Sequence, residues 1–245
     1  MNQSKAHGSF LQSFNIVKND VISVIGSGGK TSLIFKLARE ARLLGYKTLV
    51  TTTTHMLIPH PDDYDALDLS GALFRDTLLP APGIYAGALA AEEHGKMTGV
   101  SSSCLENMLN RFDLVLIEAD GAAGKPLKGW KETEPVIPLI TTKTIGIVDI
   151  QAIGCMIDRS LVHRLEIFLK LSRSVETECL SVDHLRRVIC NQKGLFSKSQ
   201  GTEILYVNKL ESASDKKNAA ELVTQSGQRN VVCGSIRDGI VHVLH

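Results

Sequence analysis

The chain has no apolar run approaching the ~20 residues of a membrane-spanning helix, and Met1–Gly8 (MNQSKAHG) lacks the apolar core of a secretory leader. Neither feature gives the protein a membrane partner. A charge bias is missing too: 27 Lys and Arg stand against 26 Asp and Glu, a formal charge of +1. With that balance nothing calls for nucleic acid as the main partner. The five cysteines (Cys104, Cys155, Cys179, Cys190 and Cys233) are odd in number and form no C-x-x-C pair. That excludes a disulfide framework and the usual zinc knuckles. They are expected to be buried thiols in a reducing compartment, which predicts a cytoplasmic protein. There is no internal repeat, and oligomeric state is not legible.

What is present centres on Val21-Ile22-Ser23-Val24-Ile25-Gly26-Ser27-Gly28-Gly29-Lys30-Thr31. A β-branched run, then glycines, then Lys-Thr and an amphipathic stretch is the order strand, phosphate loop, helix. Glycines let backbone N–H groups turn onto an anion where a Cβ would obstruct close approach. Backbone from Gly26, Ser27, Gly28 and Gly29 through Lys30, Thr31 and Ser32 is therefore the expected nucleotide-phosphate cradle. Lys30 would reach the outer phosphates, and the Thr31 hydroxyl would hold Mg²⁺. The longer form of this motif carries a glycine where Val24 stands, so Gly26-x-x-Gly29-Lys30-Thr31 is a shortened loop, similar to that of Mur-type ligases.

Apolar strands alternate with helical patterns along the rest of the chain. Strands are expected at Lys47–Thr51, Phe112–Ile117, Thr144–Ile150, Glu203–Val207 and Asn230–Cys233. Helices are expected at Ser32–Leu44, Ser103–Arg111, Ser160–Leu171, Val182–Cys190 and Asp215–Gln225, with a short element at Phe10–Val17. The alternation predicts an α/β fold in three layers, a mainly parallel sheet with helices on both faces, of P-loop NTPase type. One domain is expected over residues 1–245, with an insertion at about 56–103 containing some β structure, including Ile84–Leu89. Ligands of such sheets bind beyond the carboxyl ends of the strands. The glycine loop, the threonine run, Glu118–Gly121 and Asn208–Glu211 all follow strands and should meet at one edge.

At that edge Asp120 is the expected Mg²⁺ ligand together with Thr31, and Glu118 the group that orients water or substrate; Lys30, Glu118 and Asp120 form the catalytic set. Thr52, Thr53, Thr54 and His55 could contact a γ-phosphate or second substrate, though a threonine run is also ordinary strand sequence. Lys125 and Lys128 flank a glycine-rich turn and either stabilise phosphate charge or are solvated loop residues. His55, His60, Asp62 and Asp63 fit no common zinc spacing and are read as exposed loop residues. Asn208-Lys209-Leu210-Glu211 resembles the Asn-Lys-x-Asp signature by which GTPases read guanine, with glutamate in place of aspartate. ATP and GTP both stay open.

Taken together, Gly26–Thr31, Thr51–His55, Ile117–Gly121 with Lys125–Lys128, His163-Arg164, Lys193–Phe196 and Val207–Lys209 resemble the YqeC-type family. That family is described as accessory to selenium-dependent molybdenum hydroxylases and as acting in selenium cofactor biosynthesis. The resemblance implies a nucleotide-dependent role in maturing such an enzyme, with the hydroxylase or another accessory protein as partner. Besides a nucleoside triphosphatase, two other activities fit the motifs. One is a small-molecule kinase or ATP-dependent ligase, suggested by the Mur-like loop. The other is a non-catalytic switch that grips a client according to bound nucleotide.

Overall fold

The structure, a computed structural model, describes residues 8–80 and 82–244. Residues 1–7, most of the stretch read above as lacking a leader core, lie outside the described residues. The helices are α1 (Phe10–Ser13), α2 (Lys30–Leu43), α3 (Ser102–Glu106), α4 (Leu165–Ser172), α5 (Val182–Cys190) and α6 (Ala213–Ser226). The strands are β1 (Asp20–Gly26), β2 (Lys47–Thr52), β3 (His55–Leu57), β4 (Ala66–Asp68), β5 (Gly83–Gly87), β6 (Ala90–Glu92) and β7 (Lys96–Thr98). They continue with β8 (Leu114–Glu118), β9 (Leu127–Lys128), β10 (Lys143–Asp149), β11 (Val162–His163), β12 (Thr202–Asn208), β13 (Val231–Ser235) and β14 (Ile240–Leu244).

Nine strands form one sheet in the order β14-β13-β12-β10-β1-β8-β2-β5-β4. All are parallel except β14, which runs antiparallel to β13. Strand pleating sends alternate residues to opposite faces, and the core divides accordingly. Ile22, Val24, Val50, Leu114, Leu116, Ile145 and Tyr206 pack against Phe10 and Phe14 from the α1 region and against Leu33, Ile34, Leu37 and Ala38 of α2. Val21, Ile25, Leu49, Val115, Ile117, Leu205 and Val207 face Leu105 of α3, Phe168 of α4, Leu185 of α5 and Leu222 of α6. Apolar strands covered on both faces are what force an unbroken hydrophobic pattern. The expected three-layer α/β arrangement is therefore observed.

Several boundaries differ from expectation. The predicted helix Ser160–Leu171 starts only at Leu165: Asp158 accepts the Ser160 and Leu161 amides, and Arg164 has φ of 60°. The side-chain acceptor stabilises a turn where the pattern suggested helix. The Ser103–Arg111 helix is reduced to α3 and a separate turn at Leu109–Arg111. Within 56–103, β4 and β5 extend the main sheet beside β2, and only β3, β7 and β6 stand apart as a second small sheet. The cysteine expectation is corrected: Cys155, Cys179 and Cys190 are exposed and Cys104 is half-buried. Only Cys233 is buried, which pushes its thiol pKa up to about 12. No described helix is long and apolar enough to cross a membrane.

Candidate functional site

Because β1, β2, β8, β10 and β12 are parallel, their last residues share one edge. Register places Glu118 opposite both Val24 and Thr52, and Asp149 opposite Asn208. The glycine loop leaves β1 at the centre of that edge. Gly26, Gly28 and Gly29 have φ of 95°, 86° and 129°. A Cβ would lie 2.3 Å from the Ile147 carbonyl oxygen at Gly26, 2.5 Å from Asp149 Cβ at Gly28, and 2.5 Å from Asn208 Nδ2 at Gly29. Both dihedral and space therefore require glycine at all three positions. Val24, where the longer motif has glycine, is buried in β1.

The loop ends in the first turn of α2, a 14-residue helix. The Gly26 amide donates to Asp120 Oδ2 (3.0 Å), and the Ser27 amide to the Ile147 carbonyl (3.2 Å). The next five amides, from Gly28 to Ser32, have no hydrogen-bond partner among the described residues. An ordinary helix start leaves its first amides free; here they are continuous with a glycine loop, and Thr31 and Ser32 are exposed. That is the geometry of an anion cradle, reinforced by the helix dipole.

Beside the cradle lies a buried ionic cluster. Lys30 Nζ donates to the Gly26 carbonyl (2.8 Å) and stands 3.2 Å from Asp120 Oδ1 and 3.9 Å from Glu118 Oε1. The Thr31 hydroxyl donates to Glu118 Oε2 at 2.7 Å. Asp120 is fully buried, and its Oδ2 also receives Trp130 Nε1 (2.7 Å) and Lys128 Nζ (3.0 Å). Its Oδ1 accepts no well-aligned hydrogen bond. Lys128 is buried as well, reaching the Gly121 carbonyl (2.6 Å) and Glu134 (3.2 Å), with its ammonium 5.4 Å from the Trp130 ring centre. Arg164 grips Glu134 with both terminal nitrogens. Burial raises the Glu118 pKa against the pull of Lys30 and Thr31, and lowers that of Lys128 against Asp120 and Glu134. Burial works to raise Glu134 too, but the Arg164 hydrogen bonds and the Lys128 charge prevail and hold it at about 2.

The structure sets the contacts of the residues selected from sequence. Thr31 touches Glu118, whereas Asp120 is enclosed by Gly26, Trp130, Lys128 and Lys30, so the more accessible hydroxyl–carboxylate pair is Thr31 with Glu118. Lys128, read as a phosphate contact or a solvated residue, is not solvated: it is fully buried against Asp120. Lys125 caps the carbonyls of Arg159 and Val162. Thr52 Oγ1 and the Thr53 amide both bind the Glu118 carbonyl, and Thr53 Oγ1 donates to Val136 O (2.6 Å). The run thus braces the β8 end, with Thr54 folded back onto Thr52. His55 is exposed and paired with Glu92 (3.0 Å). His60 and Asp62 are exposed and Asp63 is half-buried.

Asn208 lies against the glycine loop. Its Nδ2 donates to the Gly28 carbonyl (2.8 Å), and its Oδ1 accepts from Tyr206 and the Ile236 amide. Lys209 pairs with the buried Asp149, and Glu211 is held by Gln151, Ser235 and Arg237. Trp130, Glu134 and Asp149 were missed from sequence. The strand-end rule that selects Glu118 and Asn208 also selects Asp149; Trp130 and Glu134 carry no comparable signal.

The family model described as YqeC protein matches residues 22–166, more than half of the chain. A protein of Escherichia coli (strain K12), described as uncharacterized protein YqeC, is 29% identical over 215 residues, covering 86% of this chain and 84% of its own length.

Proposed function

The chain belongs to the YqeC protein family, and from its site we propose that it binds a nucleoside triphosphate with Mg²⁺ and couples binding and hydrolysis to the maturation of a client enzyme. One observation carries the binding reading: five consecutive unpartnered amides, Gly28 to Ser32, adjoin a lysine and a hydroxyl that face buried carboxylates. The amides and Lys30 would hold the phosphates. Thr31 and Glu118 are hard oxygen donors 2.7 Å apart, which suits a small cation that retains several waters. Bound there, Mg²⁺ would neutralise phosphate charge. Asp120 fixes the Gly26 amide and the lysines in place. The family resemblance supports the client class, a selenium-dependent molybdenum hydroxylase; Asn208 gives one of its two amide hydrogens to the Gly28 carbonyl, which leaves ATP and GTP both open.

Calorimetric titration with ATP and GTP, with and without Mg²⁺, tests this reading. Magnesium-dependent binding of ATP or GTP is expected, weakened at least about 100-fold in Lys30→Ala, a loss of roughly 2.7 kcal/mol. Thr31→Val should weaken binding only when Mg²⁺ is present. Absence of binding by folded protein rejects the reading. Steady hydrolysis without an acceptor separates a triphosphatase from a kinase, a ligase or a non-catalytic switch.

A further inference from the structure

We propose that Lys128 is the resident counter-ion of Asp120, and that its presence lets Lys30 leave the carboxylates for an incoming phosphate. The inference rests on the nucleotide reading above. Lys30 is 6% exposed and faces Gly26 O, Asp120 and Glu118. To reach an anion on the Gly28–Ser32 amides it must give up these partners. Stripping a buried carboxylate of its only cation would be strongly unfavourable, and Asp120 is entirely buried.

Lys128 removes that obstacle. It sits 3.0 Å from Asp120 Oδ2, while Lys30 approaches the other oxygen, Oδ1. Its place does not depend on the loop. Residues 127–128 pair with residues 162–163 in the two-stranded sheet, the Gly121 carbonyl and Glu134 take its ammonium, and Arg164 anchors Glu134. Three cations (Lys30, Lys128, Arg164) thus face three carboxylates (Glu118, Asp120, Glu134). When Lys30 departs, Asp120–Lys128 and Glu134–Arg164 remain as matched pairs. The carboxylate left over in this cluster is Glu118, beside the Thr31 hydroxyl. Phosphate capture by Lys30 therefore creates an unbalanced anion next to the proposed cation ligands, which couples the two binding events.

A double-mutant cycle between Lys128→Met and Asp120→Asn, read by calorimetric binding of Mg-ATP or Mg-GTP, whichever the wild type binds, to the full chain, tests the proposal. Lys128→Met alone is expected to weaken binding at least about tenfold, because Lys30 becomes the sole counter-ion of Asp120. In the Asp120→Asn background the same substitution should change affinity less than about threefold, since no charge remains to compensate. An equal loss in both backgrounds would mean that Lys128 merely adds positive potential, and no loss in either would show that Lys30 moves without it; both overturn the proposal. Wild-type protein that binds neither Mg-ATP nor Mg-GTP removes the nucleotide reading and this inference with it, an outcome distinct from binding without coupling. Should Lys128→Met not fold, Lys128→Gln, which keeps a donor for Gly121 O, takes its place in the cycle.

Discussion

The two flanks of the glycine loop are built on opposite principles. On the β8 side the loop meets ionised groups: Lys30, Glu118, Asp120 and Lys128 within hydrogen-bond or ion-pair reach of one another. On the β10 and β12 side it meets close-packed neighbours: Ile147 O, Asp149 Cβ and Asn208 Nδ2, each within 2.5 Å of where a glycine Cβ would stand, with the Asp149 carboxylate paired to Lys209. The first flank has groups that can exchange partners. The second is a close-packed wall that fixes the loop's path. A loop that is to hold an anion on its amides needs both, because amides converge on a charge only if the backbone carrying them cannot relax.

The largest effect should come from the wall. Gly26→Ala forces a Cβ to 2.3 Å from a carbonyl in the central sheet at a φ of 95°. A loss of about 4 kcal/mol or more, or failure to fold, is expected in thermal denaturation; a stable variant would show that the wall yields.

Next comes the outer part of the ionic flank. Glu134→Gln leaves Lys128 and Arg164 short of an anion and should cost about 3 kcal/mol near neutral pH. The sign of its pH dependence follows from the depressed pKa. Glu134's stabilisation is complete above its ordinary value of 4.5 and disappears as pH falls towards about 2. Wild type and variant melting curves should therefore converge over that interval. Parallel curves would mean that Glu134 acts by shape alone.

The smallest stability change is expected at Glu118. Burial raises its pKa, so folding disfavours the charged form, and above that raised value the carboxylate works against stability. Glu118→Gln should leave the melting temperature unchanged or slightly higher while Mg²⁺-dependent nucleotide binding falls. A marked destabilisation would make Glu118 part of the wall and not of the chemistry.

The two flanks were not equally legible. Lys30, Thr31, Glu118 and Asp120 could be selected from sequence because each follows an apolar strand or opens a helix, and parallel strands bring such positions to one edge. The pairings among them could not. Glu118 and Asp120 are two residues apart, and only the β8 register decides that Glu118 meets Thr31 while Asp120 turns beneath the loop. Asn208 was selected by the same rule, and its partners were equally hidden. Its four-residue context suggested base recognition, while its contacts with Gly28 O, Tyr206 and Ile236 come from the fold. The exposed cysteines were misjudged because a thiol's burial depends on which helix face or bridge it occupies, not on its type.

By itself the sequence determined the alternation of apolar strands and amphipathic helices, and with it a parallel sheet covered on both faces. It also placed glycines, lysine and hydroxyl in the order that puts free amides at a helix start. These are local consequences of side-chain size, branching and periodicity. Tertiary structure alone decided which charges share a buried space. It put Lys128 under Asp120, Glu134 between Lys128 and Arg164, and Asn208 against the loop. Ion pairing in a low-dielectric interior depends on distances of a few ångströms between segments far apart in the chain, and only the folded packing of those segments sets them.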